Sequence, residues 1–231
     1  MFTKKSITIM LIVIGVLIVF IAALLFWKNF LTVSGLFTGG TKTQPPVTTT
    51  SGKNTTADLV DQAKNTPGAK TEVIERTDGA AGPEQKAAVV MVPNSNPIDV
   101  TTGEVLSRDG KTVAKQGGRA GDPDAVLQSS SIDPAKLPPG AVKLIVGATA
   151  ITPAEFTVSP GQLVILGVTA ADSPEIFKFD DPSLSAIAAG LTPNETIVLN
   201  FTAPTQPGEY VYYSDFINHR ARGSVGKMIV K

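Results

Sequence analysis

Between residues 38 and 155 the chain has no Phe, Tyr or Trp, and every later aromatic falls between Phe156 and Phe216. Large rings supply much of the apolar area that offsets the entropy of ordering a chain. A compact core is therefore expected only toward the C-terminus, and the middle of the chain is expected to lack one of its own. Its first part, residues 28–85, contains a run rich in Thr, Gly, Pro and Ser (TGGTKTQPPVTTTSGKNTT) and is expected to be a flexible, disordered linker. Residues 86–140 give a mixed signal. Residues 87–92 (AAVVMV) suit a strand, and Asp109-Gly110 suits a turn between two short extended pieces. This segment is expected to be a partly ordered arm laid on the domain that follows.

The N-terminus carries a different signal. Residues 7–27 (ITIMLIVIGVLIVFIAALLFW) hold no charge, and as a helix they would span roughly 30 Å, the hydrocarbon thickness of a bilayer. A cleaved signal peptide has a shorter apolar part ending in small residues, whereas this one ends in Leu24-Leu25-Phe26-Trp27. The expectation is an uncleaved single-pass anchor, with residues 1–6 as a cytoplasmic tail. Lys4 and Lys5 precede the apolar run and only Lys28 follows it closely, which favours an N-inside orientation. The remainder would then be extracytoplasmic, tethered to the cell membrane.

Composition removes several function classes. Lys and Arg total 20 and Asp and Glu total 20, so the balanced charge gives no reason to expect nucleic acid as a partner. Cysteine is absent, which excludes disulfides, iron–sulfur clusters, zinc–thiolate sites and cysteine nucleophiles. There is one histidine, His219, so any Ser-His-Asp triad would have to use it. Ser214 lies five residues before it but lacks the flanking glycines of a nucleophile elbow. Enzymatic activity is not expected. Asp180-Asp181 is expected to be a turn and cap rather than an acid/base pair.

Strand signals cluster at 142–148, 155–158, 163–169, 176–179, 196–201, 209–214 and 227–230, with Pro160-Gly161 and Pro207-Gly208 as turns before two of them. Ile197, Leu199 and Phe201 alternate onto one face. Short strands between Pro/Gly turns over residues 141–231 imply an all-β Greek-key sandwich. An Asp181-Pro182 start and a Gly190 stop suggest one or two helical turns between strands.

Four segments carry a family resemblance: Phe156 through Gly161 (FTVSPG), Glu175 through Asp181 (EIFKFDD), Pro207-Gly208-Glu209-Tyr210, and the loop from Ser214 to Ser224 with its following strand. In order and spacing they resemble a cupredoxin, and more narrowly the cupredoxin-like domain of the periplasmic iron-uptake (EfeO-type) family. The resemblance covers residues 141–231 and implies a two-sheet sandwich with a metal site at one end. It places the family's first histidine ligand at Glu175, its cysteine at Ser214, its second histidine at His219 and its axial ligand at Ser224. Type 1 copper needs two imidazoles and a thiolate, so a blue-copper centre and electron transfer through it are excluded.

The expectation is a degenerate copper site and a binding or structural module with no cofactor. Phe216, Arg220 and Arg222 are expected to offer a surface to an unidentified partner. The alternative is weak binding of copper, iron or zinc through His219 and Glu175, with Asp215 as a third donor.

Overall fold

The computed structural model describes residues 54–77, 85–93 and 95–231. The expected cytoplasmic tail and the apolar run at 7–27 lie outside the described residues. Among the described residues no helix is long and apolar enough to cross a membrane.

Two sheets form the C-terminal sandwich. One is four-stranded, in the order β10 (Thr196–Thr202), β7 (Leu163–Ala170), β4 (Val142–Val146) and β5 (Ile151–Thr152). The other is five-stranded, in the order β6 (Glu155–Val158), β12 (Val225–Val230), β11 (Gly208–Ser214), β8 (Glu175–Phe179) and β9 (Ala188–Leu191). Pairing is antiparallel except for β4 with β7 and β12 with β6. The chain passes repeatedly from one sheet to the other, as the expected all-β sandwich requires. The inner faces meet through rings: Phe179 of β8 packs edge-on to Phe201 of β10 at 5.8 Å and to Tyr212 of β11 at 5.8 Å. Tyr212 is wholly buried, its hydroxyl donates to the Pro153 carbonyl, and burial pushes its pKa well above the usual tyrosine value.

The strand expectations match β4, β6, β7, β8, β10, β11 and β12 to within a few residues at their ends. The segment after Asp181 agrees with expectation at its start and departs from it toward Gly190. A 3₁₀ turn, Pro182–Leu184, is capped by the Asp181 side chain as expected of a turn residue, but the chain then enters β9 rather than a longer helix. Ala188 through Leu191 pair with β8, and sheet hydrogen bonds there override the helical start-and-stop pattern.

Of the stretch read as linker and arm, residues 28–53 and 78–84 lie outside the described residues, and the described part is more structured than its composition suggested. Within the expected linker, α1 (Thr56–Lys64) starts at a capping box in which Thr55 and Asp58 satisfy each other's backbone N–H groups. It buries Leu59, Val60 and Ala63. Next, β1 (Lys70–Arg76), β2 (Gln85–Met91) and β3 (Ile98–Asp99) form a small antiparallel sheet. Residues 128–132 run beside β10, with the Ser129 and Ile132 N–H groups donating to the carbonyls of Val198 and Thr196.

These pieces cover the outer face of the four-stranded sheet. That is why β7 (LVILGVTA) is apolar on both sides and buried almost throughout. Leu137 packs onto Gly167 so closely that a Cβ there would lie 2.7 Å from its methyl carbons. Small aliphatic residues build this layer, and it needs no aromatic ring because the sheet beneath supplies its apolar partner.

Candidate functional site

The loop after β11 is shaped by two left-handed residues. Asn218 sits at φ 60° and Gly223 at φ 105°. A Cβ on Gly223 would stand 2.9 Å from the Thr149 carbonyl oxygen, so glycine is required there on both counts. Between them His219 precedes a 3₁₀ turn, Arg220–Arg222. The Ser224 N–H donates to the His219 carbonyl, and the Ser214 N–H donates to the Ser224 carbonyl. This folds the loop back so that its two ends and its histidine meet the start of β8.

What they meet is Glu175. Its side chain is wholly buried, and its two oxygens accept three hydrogen bonds: Ser173 Oγ to Oε1 at 2.6 Å, Ser214 Oγ to Oε2 at 2.5 Å, and His219 Nδ1 to Oε2 at 2.8 Å. Burial works to raise the Glu175 pKa, but the hydrogen bonds from Ser173, Ser214 and His219 outweigh it and hold the carboxyl below the usual glutamate range. The group is therefore a carboxylate at neutral pH, an acceptor only. That settles the direction of each bond: Ser214 donates its hydroxyl proton, and His219 carries its proton on Nδ1.

The other ring nitrogen, Nε2, makes no hydrogen bond among the described residues and is not among the enclosed unpartnered atoms. The 5% of the His219 side chain that remains accessible includes it. Chemically this is a carboxylate-oriented imidazole with one nitrogen toward solvent. Phe216 packs its ring edge-on to the imidazole at 5.2 Å.

Three of the four positions that the resemblance marks are thus joined by side-chain hydrogen bonds, and the fourth is held beside them by its backbone. The Ser224 hydroxyl is fully buried and makes no hydrogen bond. The donors do not suit copper, because a single imidazole and no thiolate are present and the imidazole's Nδ1 is already bound to Glu175. Among the described residues no three His, Cys, Asp or Glu side chains are placed to hold a metal ion. Asp215, weighed as a third donor, points outward and pairs with Lys178 at 2.9 Å. Ser214 donates to Glu175 and not to His219, so the two do not form a nucleophile–base pair.

The surface around the loop is largely committed. Arg220 makes two 2.9 Å bonds to the Asp180 carboxylate and stacks 4.0 Å over the Tyr213 ring. Arg222 is exposed, Phe216 is half-buried, and Ile217 is 72% exposed. Ser173 was not singled out from the sequence. The signal available was its place two residues before a glutamate that had to be buried and would need donors.

No protein-family model matches the chain, and no curated protein matches it. Solved structures do. An auracyanin from Roseiflexus castenholzii matches at 23% identity over 40% of this chain and 99% of that one, with a TM-score of 0.35. Auracyanin A, a blue copper protein from Chloroflexus aurantiacus, matches at 22% identity over 40% and 100%, with a TM-score of 0.32. A plastocyanin from Dryopteris crassirhizoma matches at 22% identity over 39% and 100%, with a TM-score of 0.30. These neighbours are cupredoxins, and the all-β architecture of this chain rests on its own strand pairing.

Proposed function

We propose that this is a membrane-anchored, extracytoplasmic protein whose cupredoxin-like sandwich no longer depends on copper and serves as a binding or structural module at the cell surface. One observation supports this reading above others. At the position where the resemblance to EfeO-type domains would put a metal ligand, the Glu175 carboxylate accepts from Ser173, Ser214 and His219 and ties β8, β11 and the following loop together. A buried anion with three donors does the cross-linking that a metal ion does elsewhere. The membrane anchor rests on residues 7–27, and no enzymatic step is part of this reading.

The second reading, weak metal handling, is favoured by the open Nε2 of His219. One imidazole nitrogen is a single ligand, and recruiting Glu175 would cost its present hydrogen bonds. Elemental analysis and an absorbance spectrum of the protein taken from its native membrane separate the two. No stoichiometric metal and no colour are expected. Stoichiometric metal, or micromolar binding of copper(II), zinc or iron that disappears in His219→Ala, would establish the second reading in its place. Release of the protein by salt alone, without detergent, would remove the anchor.

A further inference from the structure

Strand β1 (Lys70–Arg76) lies at the edge of its sheet, which runs in the order β1-β2-β3. Hydrogen bonding fixes which of its backbone groups face outward. The Val100 N–H donates to the Ala88 carbonyl, so the even residues of β2 direct their backbone groups toward β3 and the odd ones toward β1. Odd residues of β2 pair with even residues of β1, as Val89 does with Glu72. The backbone groups of Thr71, Val73 and Glu75 therefore point away from β2. Thr77, next in the same series, agrees: its N–H donates to the Lys111 carbonyl and not into β2. Among the described residues, the N–H and C=O groups of Thr71, Val73 and Glu75 have no backbone partner.

Such a row defines its occupant. Donors and acceptors alternate at the spacing of an extended chain, so another strand satisfies them all. Val73, at the midpoint of β1, is 69% exposed. A second β1, laid antiparallel and centred on Val73, sets Thr71 against Glu75 in both directions and uses every one of these groups. Sliding it by two residues either way brings in Thr77 or Ala69, whose N–H groups are already donated to Lys111 and Thr66. Charge favours the centred register as well. Lys70 is exposed, makes no ion pair among the described residues, and comes opposite Arg76 of the other copy. Arg76 is held at 2.9 Å by both Asp99 and Glu104, so one guanidinium meets two carboxylates and that cluster is anionic. Lys70 thus approaches a negative group in each direction.

We propose that two copies of this chain associate through β1, as an antiparallel pair centred on Val73 that joins their small sheets into one. The contact is isologous, so it closes on itself as a dimer and leaves no further β1 edge to propagate. A single strand pair is a small interface, and the dimer is expected to exchange rather than to be permanent. The Glu175 site takes no part in it.

The chain has no cysteine, so single thiols can trap the pair in the full chain in detergent. Facing Cα atoms in such a pair stand about 5.5 Å apart, within the reach of a disulfide. Under mild oxidation Val73→Cys is expected to form a linked dimer about tenfold faster than Ile217→Cys, which is 72% exposed but lies outside β1. Thr71→Cys and Glu75→Cys are each expected to link to themselves no faster than Ile217→Cys, and to link to one another when mixed. Adding Val73→Lys to both is expected to abolish that mixed link and to leave the melting temperature unchanged, because the Val73 side chain is solvent-exposed. Equal rates at positions 73 and 217, or Thr71→Cys linking to itself as fast as to Glu75→Cys, would overturn the proposal. A mixed link that persists with Val73→Lys in a folded chain would do the same.

Discussion

Ser214 donates its hydroxyl proton to the Glu175 carboxylate at 2.5 Å, so the loop after β11 and the start of β8 are joined by a buried side-chain bond. Removing the carboxylate should cost more than removing any one donor. Glu175→Ala leaves Ser173, Ser214 and His219 facing a void with their protons unmatched, and should lower stability by roughly 3 kcal/mol. Ser214→Ala should cost about 1–2 kcal/mol, because Ser173 and His219 still satisfy the anion. Ser224→Ala should be neutral or slightly stabilising, because it removes a buried hydroxyl that has no partner. Urea unfolding of the three variants checks the order. A Ser224→Ala cost equal to that of Ser214→Ala would mean that the two hydroxyls are not distinguished as described.

Acid should weaken the same site. The folded Glu175 carboxyl is held below the 4.5 of an ordinary glutamate, with the hydrogen bonds from Ser173, Ser214 and His219 outweighing burial. A depressed folded value means that its contribution is fully present above about pH 4.5 and is lost as pH falls through the lower folded value. Asp99, beside Arg76, is also lowered, because hydrogen bonds from the Thr102 and Thr101 N–H groups and from Arg76 exceed its burial cost, so acid unfolding alone does not isolate one group. The difference in stability between wild type and Glu175→Gln does. That gap should close as pH falls below about 4.5 and through the lower folded value. A gap that widens in acid would reverse the sign of the argument.

The frame of a copper centre should be recoverable. Ser214 Oγ and His219 Nδ1 both lie within 2.8 Å of a single oxygen of Glu175, so the three side chains already surround one point. Glu175→His with Ser214→Cys supplies the two imidazoles and the thiolate of a type 1 site, with any axial ligand weak. Copper(II) added to this double variant should produce an intense visible thiolate-to-copper absorption, and Ser214→Cys alone should give a weaker or absent band. A folded, colourless double variant would show that residues 175, 214 and 219 do not match the family's ligand positions.

How far the sequence could be read depended on where local pattern and tertiary context agreed. Thr196 through Phe201 announced its strand by alternation, and the spacing from Ser214 to Ser224 announced a loop that brings His219 back to the sheet. The Glu175–Ser214–His219 contact was legible only as a set of equivalent positions, because no periodicity relates residues in different strands. Ser173 escaped notice for the same reason. The covering layer was missed through its lack of rings, although Leu163-Val164-Ile165-Leu166 already held the clue: an unbroken apolar run in a sheet is buried on both faces and needs something to cover it. Thr55 and Asp58 form a capping-box pattern that lay unnoticed inside a Thr-rich run.

That covering layer should be part of the folding unit. Ile165, Gly167, Val198 and Asn200 share the outer face of β7 and β10, as their register requires, and they are roofed by α1, Leu137 and the strap at 128–132. The roof is also pinned by polar contacts: Gln162 Nε2 donates to the Asn54 carbonyl at 3.0 Å, and the Gly140 N–H donates to Gln62 Oε1 at 2.7 Å. A chain starting at Ala141 would keep both sandwich sheets but expose this apolar face. It should bind a hydrophobic dye, self-associate, and melt well below the chain that retains residues 54–140. Leu137→Ala in the full chain should cost about 2–4 kcal/mol, the usual price of truncating a buried leucine. Thermal melts of the shortened chain and of Leu137→Ala carry the test. If residues 141–231 alone melt at the full chain's temperature without binding dye, the layer is an accessory to the sandwich rather than a part of its core.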